Sequence, residues 1–214
     1  MIELFVSAFV TFFVVIDPPG CAPIFAGLTT GAGPAQRRMM AVRAVGVAAA
    51  ILFVFALFGE ALLGALGISL NAFRIAGGVM LFLIALEMVF EKRTERREDR
   101  AEKIRQTPEI EDISVFPMAL PMIAGPGSIA SAMLLMSQNE GPARSAVVLA
   151  AIASVLALTL AALLAAGPIM RVLGARIEAV ISRLLGVLLA ALATQFVIDG
   201  IKASLVAGAA VPGH

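Results

Sequence analysis

The chain has 214 residues, of which 60% are hydrophobic and only 14% are charged. Its mean hydropathy is +0.99. Because soluble domains carry about 25% charged residues, this composition excludes an ordinary soluble protein and predicts an integral membrane protein. The net charge of +1 gives no reason to expect a nucleic-acid partner. The single cysteine, Cys21, excludes an internal disulfide and a cysteine-rich metal site, and we expect no cofactor.

Apolar stretches along the chain predict an all-helical protein with six transmembrane helices in contact with the lipid bilayer. The segments from Ile113 to Asn139 and from Ala146 to Met170 contain no charged residue, and about 20 apolar residues suffice for one helical span. The first span is interrupted at Asp17 and the fourth at Gly125. The predicted spans are 3–29, 41–63, 70–90, 115–137, 145–168 and 179–200.

Hydrophilic residues divide the chain into two halves. Residues 91–114 mix both signs of charge, which is typical of a solvated linker rather than a binding arm. We therefore predict a first three-helix repeat over 1–90 and the linker over 91–114. A second three-helix repeat is expected over 115–205 and a C-terminal tail over 206–214.

The basic residues predict the orientation of the spans. Thirteen of the 16 lysines and arginines lie beside the first, third and fifth connections, whereas Arg144 and Lys202 stand on the opposite side. By the positive-inside rule, the odd-numbered connections are expected in the cytoplasm and both termini outside.

The two halves resemble each other at their interruptions. Aligning IDPPGC (16–21) with IAGPGS (123–128), at an offset of 107 residues, places Pro19 on Pro126 and Gly20 on Gly127. Since each half holds three spans, the second half enters the membrane from the opposite side. This pattern predicts an inverted-topology repeat whose first and fourth helices are broken near mid-membrane.

The interruptions also have the sequence of helix starts. Asp17-Pro18 offers an aspartate at the cap position and a proline at the first helical position, and Gly125-Pro126-Gly127-Ser128 offers a similar start without the acid. Irregular backbone survives in a membrane only where protein or a polar cavity satisfies it. We therefore expect two half-helices whose positive N-terminal ends face a shared cavity and suit an anionic group such as a carboxylate.

These features together resemble the MarC/SnatA family of bacterial inner-membrane proteins. The resemblance rests on DPPGCAPIF, on PMIAGPGSI, on the three-plus-three arrangement and on the linker, and it covers residues 2–205. It implies a multi-pass protein of the plasma membrane. Some members are linked to uptake of small neutral amino acids such as glycine and alanine, driven by a proton or sodium gradient. Many others have no assigned substrate.

Asp17 is the first candidate functional residue. One interpretation is that it only caps the second half-helix. The other is a role in transport, either facing the ammonium group of a zwitterion or taking up the coupling proton. The repeat counterpart of Asp17 is Ala124, so the architecture does not require an acid there. Because a buried carboxylate costs about 2.5–3.5 kcal/mol in a membrane, the asymmetry favours the functional interpretation.

A second group consists of small residues at the two interruptions. We expect them to surround a substrate carboxylate with backbone amides and one hydroxyl, although close helix packing by small residues explains the glycines equally well. The candidates are Gly20, Gly125, Gly127 and Ser128. The prolines that set the shape of the interruptions are Pro18, Pro19 and Pro126.

Charged residues near the ends of spans form a third group. Arg74 lies inside the third span, and Glu60 at the end of the second span has the depth to pair with it as a gate. Snorkelling of Arg74 to the interface is the simpler explanation. Glu87, near the inner end of the third span, has the same simple explanation.

The leading functional hypothesis is a secondary transporter of small neutral amino acids. The alternatives are an exporter of other small solutes and a non-transporting scaffold or regulator. A membrane thiol-electron carrier needs a cysteine in each half, but Ser128 stands opposite Cys21. We expect no enzyme, because no zinc-protease or serine-hydrolase motif occurs in the sequence. Substrate, direction, coupling ion and oligomeric state stay open.

Overall fold

The computed structural model describes residues 1–92, 95, 96, 99, 102 and 112–209, excepting the side chains of 168–179 and 207–209. Most of the predicted linker and the end of the predicted tail therefore lie outside the described residues. Within the described ranges the protein is built from helices, as the sequence predicted.

Among the described residues, four helices form the N-terminal half, and proline and serine define where three of them begin. They are α1 (Ile2–Ile16), α2 (Pro18–Leu28), α3 (Pro34–Ala65) and α4 (Leu70–Val89). Proline occupies the first turn of α2 and of α3, where its missing N–H removes no helical hydrogen bond. The Ser69 hydroxyl caps α4 by accepting a hydrogen bond from the amide of Ala72 at 3.2 Å. Local sequence therefore sets these helix starts.

Four further helices form the described part of the C-terminal half. They are α5 (Ser114–Ile123), α6 (Pro126–Gln138), α7 (Pro142–Leu164) and α8 (Ala166–Ala209). The fifth connection, expected between the spans that end at 168 and begin at 179, lies inside α8 and is helical. The helix also continues to Ala209, beyond the predicted start of the tail at 206. No proline interrupts the chain between Pro168 and Pro212, so nothing in this segment breaks the helical hydrogen bonding.

The helices are long and apolar enough for five membrane spans, or six when the bent pair of α5 and α6 is counted as one span. The α1–α2 pair, Ile2–Leu28, counts as one of the five, and the axes of α5 and α6 differ by 53°. Large apolar side chains such as Leu57, Phe58 and Leu184 are exposed on the outer surface. A bilayer is the solvent in which such a surface is stable.

The last helices of the two halves, α4 and α8, pack closely through small residues. Gly78, Gly186 and Gly200 lie in this contact, and each would bring an added Cβ against backbone of the other helix. The nearest backbone oxygens are those of Ala193 at 2.9 Å, Ala85 at 3.1 Å and Asn71 at 3.1 Å, respectively. The contacts run in opposite directions along the two helices, so α4 and α8 are antiparallel. Small residues allow this approach, as is common between membrane helices.

The interior of the protein encloses the two interruptions. α7 packs against α1 and α2, and α3 packs against α5 and α6. Large side chains such as Phe12, Phe25, Leu134 and Ile152 are fully buried between these helices. The junction of α1 with α2 and that of α5 with α6 are therefore surrounded by protein.

Ion pairs bring the first, third and fifth connections to one face of the molecule. Arg43, near the start of α3, pairs with Asp112 at the end of the linker. Arg183 of α8 pairs with Glu91, just beyond α4, at 2.6 Å. The Ser114 hydroxyl and amide, followed by Arg43, hold the pKa of Asp112 below its usual value of 3.8. Arg43 and Arg183, which flank the first and fifth predicted connections, thus contact the two ends of the linker, and we call this side of the molecule the basic face.

Candidate functional site

The first interruption is the junction of α1 and α2 at Asp17. Its φ of 60° and ψ of 66° lie in the left-handed region, which aspartate visits more readily than most residues. Pro18 and Pro19 have no N–H to donate, and the Gly20 amide donates to Asp17 Oδ1 at 3.1 Å. The Asp17 side chain is 3% exposed. The predicted cap of α2 is therefore present, with its carboxylate buried in protein.

The second interruption is the junction of α5 and α6. In α5, Phe116 and Leu120 have extended backbone angles, because a residue that precedes proline is pushed out of the helical region. The start of α6 folds back so closely that a Cβ at Gly125 would overlap the carbonyl oxygen of Pro121. Glycine is the only residue that allows this approach without a backbone shift.

The N-terminus of α6 carries polar groups that the helix itself does not use. The first helical hydrogen bond runs from the Ile129 amide to the Gly125 oxygen at 3.0 Å, and no side chain caps the helix among the residues described. The amides of Gly127 and Ser128 thus have no acceptor within the helix. The Ser128 side chain is 2% exposed, and its hydroxyl has no hydrogen bond to any described group. Two amides and one hydroxyl are left for a ligand.

Close packing at Gly127 brings the two interruptions together. A Cβ at Gly127 would lie 2.6 Å from Ile84 Cδ1 and 3.2 Å from Val15 Cγ1. Val15 is two residues before Asp17 at the end of α1. The start of α6 therefore lies directly beside the end of α1, and glycine makes this distance possible.

A cavity of about 390 Å³ opens at the start of α6. It is lined by Val15, Met80, Leu83, Ile84, Glu87, Arg96, Pro121, Met122, Gly125, Pro126, Gly127 and Ser128. Its two charged residues form an ion pair, with Arg96 donating to Glu87 Oε1 at 2.8 Å. Because Glu87 lies near the end of α4 and Arg96 in the linker, the mouth of the cavity is on the basic face. The walls are mostly apolar, and the polar groups are confined to the start of α6 and to this ion pair.

The predicted binding residues divide into two sets. Gly125, Gly127 and Ser128 line the cavity, whereas Asp17 and Gly20 are buried beside it and do not line it. The start of α6 thus forms part of the cavity wall. At the start of α2, the Asp17 carboxylate caps the helix instead.

The predicted gate between Arg74 and Glu60 is not formed in this structure. No ion pair joins the two side chains within the described part of the chain. Arg74 instead packs beside Gly200 in the contact of α4 with α8, and its buried Nε atom has no hydrogen-bond partner among the described groups. A gating role for either residue stays a prediction.

The structure also brings forward three residues that the sequence analysis left out of the site. Ser131 is fully buried on α6, and its hydroxyl lacks a partner among the described groups. Its spacing of three residues from Ser128 places both on one helix face, and this signal was present in the sequence. Glu87 and Arg96 line the cavity, and the ion pair that joins them has no local sequence signal.

Long apolar helices closed around an interior cavity define a multi-pass integral membrane protein. The family model described as MarC family integral membrane protein matches residues 2–205. The chain belongs to this family, as the resemblance of its motifs predicted.

Relatives occur in both archaea and bacteria. The chain is 36% identical to the UPF0056 membrane protein MJ1677 of Methanocaldococcus jannaschii, covering 95% of this chain and 98% of that protein. It is 35% identical to the UPF0056 membrane protein YvbG of Bacillus subtilis, covering 94% and 96%, respectively. It is 33% identical to the UPF0056 inner membrane protein YhgN of Escherichia coli, covering 92% and 95%. No solved structure matches the chain.

Proposed function

We propose that the protein is a secondary transporter of small neutral amino acids, which bind between the two interrupted helices. The observation that carries the proposal is the cavity at the uncapped start of α6, directly beside the buried interruption at Asp17. Such a site in the interior of a membrane protein is accessible to a solute only through the protein. Rocking of one half against the other would expose it alternately to the two sides.

The pattern of helix contacts supports an inverted repeat as the basis of this motion. The helices of the two halves can be matched in order, α1 with α5 and so on to α4 with α8. After this exchange, most of the larger helix–helix contacts have a counterpart. The contacts of α3 with α5 and α6 correspond to those of α7 with α1 and α2. The contact of α4 with α6 corresponds to that of α8 with α2, and α3–α7 and α4–α8 correspond to themselves.

The carboxylate of the substrate has a matching position at the start of α6. In the alignment of the two halves, Gly20 corresponds to Gly127 and Asp17 to Ala124. In the structure, the Asp17 carboxylate caps α2 by accepting the Gly20 amide, whereas the cap position of α6 is Gly125, which has no side chain to accept a hydrogen bond. We infer that a substrate carboxylate occupies at α6 the position that the Asp17 carboxylate occupies at α2, because helix N-termini favour anions.

Asp17 enters the proposal as the residue that couples transport to a proton or sodium gradient. It is a buried carboxylate beside the binding site, and an acid in this setting is typical of an ion path. The capping bond to Gly20 supports the structural alternative at the same time. Two substitutions separate the roles, since Asp17→Asn would keep a capping oxygen without the charge and Asp17→Ala would keep neither.

The proposed location is the inner membrane of a bacterial cell, with the 91–114 linker in the cytoplasm and both termini outside. The basic face formed by the first, third and fifth connections supports this orientation. In that orientation the cavity opens to the cytoplasm.

The size of the cavity also permits a second candidate, an exporter of solutes larger than alanine. A volume of about 390 Å³ lies within the range of about 300–1,000 Å³ typical of pockets for drug-sized ligands. The volume therefore does not restrict the substrate to glycine or alanine.

Uptake into proteoliposomes tests the proposal. Purified protein would be reconstituted, and labelled glycine, alanine, serine and leucine supplied with an imposed proton or sodium gradient. We expect gradient-driven accumulation of the smaller amino acids. Asp17→Asn should abolish the dependence on the gradient, whereas the control Glu140→Gln, an exposed carboxylate in the turn between α6 and α7, should behave as the wild type.

Two results would contradict parts of the proposal. Absence of uptake for every amino acid under both gradients would overturn the amino-acid transporter and leave export of another solute. Undiminished gradient-driven uptake by Asp17→Asn would remove Asp17 from coupling and leave it as a cap.

A further inference from the structure

We propose that Glu87, rather than Asp17, binds the ammonium group of the transported amino acid, and that Arg96 occupies Glu87 when no substrate is bound. This inference rests on the proposed function. It assigns a binding residue to the ammonium group of the amino acid, since the start of α6 provides only for the carboxylate. It also replaces the sequence-based expectation that Asp17 faces the ammonium group.

The positions of the carboxylates favour Glu87. Of the acidic side chains in the described part of the chain, Glu87 is the one that lines the cavity. Asp17 does not line it and already accepts the Gly20 amide. An ammonium group inside the cavity therefore meets Glu87 before any other described carboxylate.

The distance from the start of α6 suits a short zwitterion. Ile84 touches the position of Gly127, with its Cδ1 2.6 Å from a Cβ built there. Glu87 follows Ile84 by three residues, which corresponds to about 4.5 Å along α4. A small amino acid held by its carboxylate at Gly127 and Ser128 would thus direct its ammonium group toward Glu87 and the mouth of the cavity.

A helix N-terminus alone does not make a binding site, but Ser128 provides an independent sign of one. Ser128 lines the cavity, the residue is 2% exposed, and none of the described groups forms a hydrogen bond with its hydroxyl. Polar side chains in residues this buried are usually hydrogen-bonded. A substrate carboxylate would accept its hydrogen bond.

Arg96 has the properties of a replaceable partner. Its side chain is 64% exposed and that of Glu87 is 24% exposed, and ion pairs with this exposure contribute little stability. The guanidinium group pairs with Glu87 in this structure. An entering ammonium group can take its place without leaving the carboxylate unpaired.

Binding of alanine and of lactate to the purified full-length protein tests the inference. The two compounds share a carboxylate and a methyl group, but lactate has a hydroxyl in place of the ammonium group. Titration calorimetry would be performed on the wild type, Glu87→Gln, Glu87→Asp and Arg96→Ala. The matched control is Glu91→Gln, which also breaks an ion pair on the same face but does not line the cavity.

We expect the wild type to bind alanine more tightly than lactate. Glu87→Gln should weaken alanine binding by about tenfold or more, because a hydrogen bond to a charged group is lost, and should leave lactate binding unchanged. Glu87→Asp should restore part of the preference for alanine. Arg96→Ala should tighten alanine binding, and Glu91→Gln should match the wild type. Melting curves with a thiol-reactive dye, which reports exposure of the buried Cys21, would verify that each variant is folded.

The failure of this inference and the failure of the proposed function give different results. If Glu87→Gln keeps the wild-type ratio of alanine to lactate affinity, the inference is overturned and the transporter proposal stands. If the wild type binds neither compound nor any other amino acid tested, the proposed function fails and the inference with it.

Discussion

Replacing Gly125 by alanine tests the α5–α6 interruption most directly, because the cavity exists only if this junction has the described geometry. A Cβ at this position would overlap the carbonyl oxygen of Pro121, which is backbone and cannot rotate away. At Gly127 the first atom met is Ile84 Cδ1 at 2.6 Å, the end of a flexible side chain. At Gly46, inside α3, nothing lies within 4 Å.

These surroundings give a ranking of stabilities. Overpacking a filled interior costs about 1–3 kcal/mol. We expect Gly125→Ala near the upper end of that range, since backbone must shift, and Gly127→Ala at about 1 kcal/mol, since Ile84 can move. Gly46→Ala should be neutral or stabilising by up to about 1 kcal/mol, because alanine favours the helix more than glycine does.

The chain suits a measurement with a thiol-reactive fluorescent dye. It contains neither tryptophan nor tyrosine, so intrinsic fluorescence reports little. Its single cysteine, Cys21, is fully buried and becomes reactive only when the helices around it separate. Melting temperatures of the wild type and the three alanine variants would be compared in one detergent at one pH.

The expected order of melting temperatures, from highest to lowest, is Gly46→Ala and wild type, then Gly127→Ala, then Gly125→Ala. A Gly125→Ala protein that melts with the wild type would refute the close approach of α6 to Pro121. If Gly46→Ala is the least stable of the series, the atoms near each glycine do not decide the stabilities, and the ranking is refuted.

Two further predictions concern the basic face and the orientation. The pKa of Asp112 is lowered by hydrogen bonds from Ser114, so its contribution to stability is complete above the unfolded value near 3.8 and is lost as the pH falls through the lower folded value. Asp112→Asn should therefore flatten the fall in melting temperature below about pH 4, and an unchanged acid slope would contradict this. For orientation, Glu140→Cys in a chain that also carries Cys21→Ser should react in intact cells with a membrane-impermeant maleimide. Lys92→Cys in the same background should react only after the cells are opened, and the reverse pattern would invert the proposed topology.

Local signals correctly predicted the helix starts beside the candidate site. The start of α2 at Pro18 and the start of α6 at Pro126 were both expected, because a proline without an N–H is stable at the first helical position whatever surrounds it. The cap of α2 by Asp17 followed from the same short stretch of sequence. Such features depend on neighbours along the chain.

Long-range features were predicted less well. Glu87 was interpreted as an interfacial side chain, but it lines the cavity with Arg96. Arg74 and Glu60 have matching depths in the sequence, yet α4 packs Arg74 against Gly200 of α8. The depth of a residue in the membrane can be predicted from its position along the span. The side of the helix that faces a given partner depends on how the two helices pack.

The sequence by itself determined the membrane class, the helical architecture, the starts of α2 and α6, and the family. These properties follow from the cost of placing charge and unpaired amides in hydrocarbon. That cost depends on the residues of each segment and not on its contacts with other segments. Only the tertiary structure decided that α6 begins beside the end of α1, that its first residues line a cavity, and that Glu87 and Arg96 meet at the mouth. The contact of α6 with α1 joins residues far apart in the chain, and glycine at position 127 permits it.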